Sequence, residues 1–282
     1  QGCALLVTSR KKFALPGLAE KNLDVLPLED ASELLLEICG RIGDHAEKLA
    51  KLCGCLPIAL RNAAYALKES PNMSPEGYIK RLADASKRLE LVEASFSTSY
   101  DLLTPELQRL WSKLSVFPAD FDLDGAAAVW DIEETGAEDA LGELLRWSLV
   151  DYLPSAAGEG GRYKLHDLAR DFAESRLDAA DIEQAKLRHS QHYRDMLSET
   201  DEHFLRDKDG VLKGLKLFDK ERANIQSGQS WAETNQEKTS AAIDLSKSYP
   251  DAGAHVLDLR LSPREKITWL DAAVRACRSS ND

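Results

Sequence analysis

Residues 149–168 read LVDYLPSAAGEGGRYKLHDL. Two short strand-like pieces, Leu149 to Leu153 and Arg162 to Leu165, flank the Gly-rich stretch Ser155 to Gly161, which is the pattern of a β-hairpin. Upstream, Thr104-Pro105-Glu106 opens a helix whose Leu107, Leu110, Trp111 and Leu114 recur at i, i+3, i+4, i+7. Asp122 is placed to cap a short Ala-rich helix through Val129 and Trp130. Thr135-x-x-Glu138 reads as a capping box before a helix carrying Leu141, Leu144 and Leu145. After the hairpin a last helix runs from about Asp167 through Leu168, Phe172 and Leu177.

Helix, helix, helix, hairpin, helix is the order of a winged-helix domain, here 91–178. On its N-terminal side, 28–90 read as a bundle of about four helices. Leu34, Leu35 and Ile38 form one stripe, and Ala46, Leu49, Ala50 and Cys53 a second. Gly54-Cys55-Leu56-Pro57 breaks the chain, and Pro57 suits the first turn of the next helix because it has no N–H to leave unpaired there. Ser74-Pro75 opens a fourth helix in the same way. On the C-terminal side, 179–282 are helical again, with stripes at Tyr193, Met196 and Leu197 and at Leu212, Leu215 and Phe218. Near the end, the capping box Ser262-x-x-Glu265 precedes a helix through Trp269, Leu270, Ala273 and Val274. The segment Ala4-Leu5-Leu6-Val7-Thr8 reads as a strand buried on both faces. No second such strand follows soon after, so it is expected to belong to a sheet encoded upstream.

Composition narrows the function. The 282 residues carry a net charge of −12, divided as +1 over 1–90, −11 over 91–178 and −2 over 179–282. A general nucleic-acid binder is disfavoured by that balance. The five cysteines are scattered without zinc or dithiol spacing and read as free thiols of a reducing cytoplasm. No apolar run approaches the length of a membrane span. His189-Ser-Gln-His192 reads as a solvated helix face rather than a metal site.

Three separated motifs line up in order: the strand ending Leu6-Val7-Thr8-Ser9-Arg10, the break Gly54-Cys55-Leu56-Pro57-Ile58-Ala59-Leu60, and the hairpin end Leu165-His166-Asp167-Leu168. Together they resemble the nucleotide-binding region of STAND-class P-loop NTPases of the NB-ARC family. The stretch Phe218-Asp219-Lys220-Glu221-Arg222-Ala223-Asn224-Ile225 is similar to the linker leading into tetratricopeptide repeats in bacterial members. The resemblance implies a mostly α chain with an N-terminal strand left over from an α/β P-loop domain. It divides the chain into the end of that domain at 1–27, a helical bundle at 28–90, the winged helix at 91–178, and a helical linker with the start of TPR-like repeats at 179–282.

The resemblance also implies site residues for ADP or ATP. Arg10, at the carboxyl end of its strand, stands where ligands of open α/β sheets bind, and is the implied phosphate sensor; a strand-capping surface Arg is the plain alternative. Pro57 offers a rigid apolar face to adenine, or simply starts a helix. His166 is the implied donor to the β-phosphate, or a side chain satisfied within the wing. Asp167 is expected to cap the helix that follows. Neither a Gly-x-x-x-x-Gly-Lys-[Ser/Thr] loop nor paired acidic residues for Mg²⁺ occur in the chain. No catalytic or metal-binding residue is therefore assigned, and the phosphate cradle, Mg²⁺ site and any ATPase activity are expected of an upstream P-loop domain.

The function this implies is the regulatory part of a cytoplasmic signalling ATPase that switches between a closed state and an oligomerising one, with protein partners on the C-terminal repeats. Two alternatives stay open: a winged-helix transcription regulator, and a repeat-type interaction scaffold without nucleotide. The first is opposed by Glu138, Asp139 and Glu143 against the single Arg146 on the helix that would enter the major groove.

Overall fold

A computed structural model describes residues 25–86, 91–154, 160–206 and 208–279. The chain is mostly α, with fourteen helices and a single two-stranded sheet among the described residues.

The first helices are α1 (Leu28–Ile38), α2 (Ala46–Leu52), α3 (Pro57–Glu69) and α4 (Pro75–Ser86), with a 3-10 segment at Gly40–His45 between α1 and α2. Their apolar stripes meet as the periodicity predicts: Leu35, Leu49, Ala50, Leu60, Ala63, Leu67 and Leu82 are all fully buried. Pro57 occupies the first turn of α3, and Ser74 Oγ accepts from Gly77 N at 3.0 Å to start α4.

Next come α5 (Leu91–Tyr100), α6 (Pro105–Lys113), α7 (Leu123–Trp130), α8 (Glu134–Arg146), β1 (Asp151–Leu153), β2 (Arg162–Lys164) and α9 (Asp167–Glu174). The order is that of a winged helix. Thr104 caps α6 through Leu107 N, and Asp122 caps α7 through Gly125 N. The strands pair antiparallel with Tyr152 opposite Tyr163, and Phe121 adds a one-residue bridge to Tyr163, exchanging both backbone hydrogen bonds. Phe96, Tyr100, Trp111 and Phe172 fill the core with ring centroids 5.7–6.5 Å apart. The Trp111 and Trp130 indole N–H groups donate to the carbonyls of Leu149 and Leu110.

Two local readings need correction. The Thr135–Glu138 capping box is not formed: α8 begins at Glu134, after Glu133, and has no side-chain cap. Thr135 thus lies inside the helix, where its hydroxyl cannot serve as the N-cap. At α9 the cap is His166 rather than Asp167, which is the first helical residue.

The remaining chain forms α10 (Ala179–Arg206), α11 (Lys208–Asn235), α12 (Ser240–Ala252), α13 (Ala254–Arg260) and α14 (Pro263–Ser279). Helices α10 and α11 pack closely because glycine stands where they meet: a Cβ on Gly214 would lie 2.4 Å from the Thr200 carbonyl oxygen. Gly214, Phe218, Glu221, Asn224 and Ile225 face inward, while Leu212 is 60 % exposed despite its place in the predicted stripe. Ser262 and Glu265 form the predicted reciprocal box at the start of α14. In that helix Trp269, Ala272 and Ala276 are buried, leaving Leu270 and Val274 outside.

Candidate functional site

The break before Pro57 is tighter than a plain helix start. Gly54 and Cys55 both have left-handed backbones, at φ 59° and 52°. For a residue with a Cβ that conformation is costly and must be held by its surroundings. Cys55 N donates to Ala50 O and Cys55 O accepts from Leu26 N, both at 3.0 Å. The turn presents Pro57 exposed at the surface. The nearby Cys53 is inert as a nucleophile, because burial pushes its thiol up to about 12, with a smaller push from Cys55.

One turn beyond Pro57, Arg61 reaches across to the wing and pairs with Asp151 at 2.9 Å. Asp151 in β1 stands opposite Lys164 in β2, two residues before His166. The Arg61–Asp151 pair thus joins the helix that Pro57 opens to the hairpin that precedes His166. Arg10 lies outside the described residues.

His166 is exposed at the start of α9, and its Nδ1 accepts from Leu168 N at 3.2 Å. Accepting at Nδ1 places the proton of the neutral ring on Nε2. The plain alternative, a histidine satisfied within the wing, is thus half realised: one nitrogen serves the helix, and Nε2–H remains a donor facing outward from the cap.

A second constellation, absent from the sequence reading, joins the wing to α11. The Arg162 guanidinium grips Glu221 with both terminal nitrogens, Nη1–Oε1 at 2.5 Å and Nη2–Oε2 at 3.0 Å. Its Nε donates to the Asp120 carboxylate and its Nη2 to the Asp120 carbonyl. Asn224 donates to that same carbonyl at 2.9 Å and to Glu221 at 3.2 Å. The Glu221 side chain is 1 % exposed. Burial opposes the charge on Arg162, but Glu221 and then Asp120 outweigh it and raise its pKa further. Glu221 and Asn224 belong to the segment singled out in the sequence as a linker. Their i, i+3 spacing placed them on one helix face, but nothing in the sequence announced Arg162 as their partner.

No group of three or more metal-ligating side chains occurs among the described residues. The solvated face expected of His189-Ser-Gln-His192 is not found at His189, which is 2 % exposed because its ring packs 5.2 Å from Phe117 and 4.6 Å from Tyr193. Burial, aided by His192, lowers its pKa to about 3, so it is neutral at physiological pH. Among the described residues no helix is long and apolar enough to cross a membrane.

A family described as a winged helix-turn-helix domain matches residues 103–178. The chain is 36 % identical over 186 residues to the regulatory protein AfsR of Streptomyces coelicolor, covering 61 % of this chain and 18 % of the relative. It is 37 % identical over 186 residues to AfsR of Streptomyces griseus, covering 61 % and 19 %. A disease resistance protein of Arabidopsis thaliana is 25 % identical over 203 residues, covering 62 % and 14 %. The matches thus span less than a fifth of the length of each of these relatives.

Proposed function

We propose that this chain is the regulatory part of a STAND/NB-ARC signalling ATPase. In this reading an upstream P-loop domain supplies the phosphate cradle and the Mg²⁺ site, and ADP or ATP lies against Arg10, Pro57 and His166. Pro57 packs on the base, His166 Nε2–H donates to a phosphate oxygen, and Arg10 senses the terminal phosphate. Exchange of nucleotide shifts the population between a closed state and a self-assembling one, with the C-terminal helices available to protein partners. That AfsR is named a regulatory protein agrees with a signalling role.

The observation that carries the reading is His166. Its Nδ1 is occupied by the α9 cap, which fixes the remaining nitrogen as a donor at the surface. The side chain can therefore tie the wing to a phosphate without giving up its structural bond. A hydrogen bond to a charged group contributes about 1.5–3 kcal/mol. In the protein carrying its P-loop half, His166→Ala is expected to weaken ADP binding by roughly 10- to 100-fold. Unchanged ADP affinity and exchange rate would remove His166 from the site.

Charge disfavours the reading as a DNA-binding regulator. The outer face of α8 presents Glu134, Glu138 and Asp139 to solvent, and carboxylates there repel phosphate instead of releasing its counterions. Salt-sensitive duplex binding by the chain would restore that alternative.

A further inference from the structure

Among the described residues, two surfaces of this chain carry exposed, unpaired charge of opposite sign. Helices α2 and α4 enclose an open cleft of about 560 Å³ with an apolar floor that includes Leu52 and Ile79. Lys48 and Lys80 line it, both exposed, and neither pairs with a carboxylate among the described residues. At the same cleft Lys51 pairs with Glu47, and His45 Nε2 hydrogen-bonds Glu76 at 2.8 Å. Lys48 and Lys80 thus stand as unpaired cations over an apolar floor.

The complementary surface is the outer face of α8. Its inner face is spent on the core, with Ala137, Leu141 and Leu144 fully buried. Outside stand Glu134, Glu138 and Asp139, exposed and without ion-pair partners among the described residues. Gly142 leaves the same helix flat, since a Cβ there would meet nothing within 4 Å. Ile132, just ahead of α8, is 37 % exposed and supplies an apolar side chain beside the carboxylates. Within the chain no carboxylate of α8 lies within ion-pair distance of Lys48 or Lys80.

We propose that the α2–α4 cleft is a docking site for the α8 ridge of a second copy of this chain. Glu138 and Asp139 of one copy meet Lys48 and Lys80 of the next, and Ile132 covers the floor at Leu52 and Ile79. Opposed charge steers and registers such a contact more than it tightens it. The two faces lie on different parts of one chain, so the contact is head-to-tail. It propagates from copy to copy and ends in a ring or a filament according to the rotation between neighbours. Nucleic acid is opposed as the occupant by the net charge of −12, while the α8 carboxylates complement the two lysines. The proposal deepens the self-assembly part of the function above and rests on it.

The test uses this chain without nucleotide, so that its outcome is separate from that of the His166→Ala measurement. Sedimentation velocity at about 20 mM salt, where screening is weak, is expected to show concentration-dependent association that is lost at about 0.5 M salt. K48E/K80E and E138K/D139K each replace exposed side chains, so both should fold, as circular dichroism would check. Each alone is expected to associate at least about tenfold more weakly, since like charges then face each other. An equimolar mixture of the two restores association, because each then offers the other an opposite face. Both variants stay net negative, so their overall charges cannot bring them together. A chain that remains monomeric at low salt, reversals without effect, or a mixture that fails to associate would each overturn the proposal. Association that withstands reversal of α8 but not of the cleft would assign the cleft to a different acidic partner and overturn it equally.

Discussion

The winged helix is joined to its neighbours by two junctions built on opposite principles. Toward the C-terminal helices the contact is a buried ionic network: Arg162 grips Glu221 and Asp120, and Asn224 closes the set. Toward the first helices the visible ionic contact is one pair, Arg61–Asp151, with side chains 41 % and 33 % exposed. Helix α5 packs against α3, α4 and α9, and each of α3, α4 and α5 carries a buried polar side chain without a partner. Both amide atoms of Asn62 and the hydroxyls of Tyr78 and Ser99 are buried without a hydrogen-bond partner among the described residues. Ser99 lies close enough to Tyr78 to act on its hydroxyl, but without good bonding geometry. The same domain is thus held on one side by a buried ion pair and on the other by a half-exposed one, while buried polar atoms without partners occur at both, Asn224 Oδ1 and the Tyr193 hydroxyl among them on the first side.

The largest expected effect breaks the buried pair. Arg162→Met leaves Glu221 buried and unpaired and should lower stability by about 3–5 kcal/mol, read from the urea midpoint. Arg162→Met with Glu221→Leu should recover most of that loss, since an apolar pair of similar volume removes the stranded charge. A double variant as unstable as the single one would show that packing, not charge, dominates the junction.

The next effect reverses sign on the other side. Asn62→Leu replaces a buried amide that lacks partners, so it should raise stability by about 1–3 kcal/mol. A loss of that size would mean the amide is satisfied in solution. Gly214→Ala forces a methyl group toward the Thr200 carbonyl oxygen, and separating α10 from α11 should cost about 1–3 kcal/mol.

Acid should act on the first side as well. His189 has a folded pKa of about 3, below its ordinary value of 6.5, so the unfolded chain binds its proton first. The stability it contributes is complete above about pH 6.5 and drains away as pH falls from there toward 3. Thermal midpoints from pH 7.5 to 4.5 should fall more steeply for the wild type than for His189→Phe, and parallel curves would exclude the histidine as the cause. The smallest effect is Arg61→Ala, at most about 1 kcal/mol, because a half-exposed pair is screened by solvent.

Much of the architecture was legible because it rests on local rules. The caps at Thr104, Asp122 and Ser74, the box at Ser262–Glu265 and the hairpin around the Gly-rich loop all need only residues a few positions apart. The failures were local choices settled by more distant packing. Leu212 fits a helical stripe with Leu215 and Phe218, yet only those two reach the core, while Gly214 takes the close contact with α10. Thr135 and Glu138 match a capping box, but α8 starts before them. Of the candidate site, the residue types at Pro57 and His166 were readable, and the Arg61–Asp151 contact was not, because it joins residues 90 positions apart.

By itself the sequence determined a mostly α chain with a winged helix at its centre, and it located the acidic excess on that domain. Periodicity, capping and charge count are properties of short stretches and survive without coordinates. Only the tertiary structure decided which charges are spent and which remain free. Arg162 and Glu221 lie 59 residues apart and neutralise each other in the interior, while Lys48, Lys80 and the α8 carboxylates stay unmatched at the surface. A charge acts over a few ångströms through space and takes no account of separation along the chain, so its partner is known only once the chain has folded.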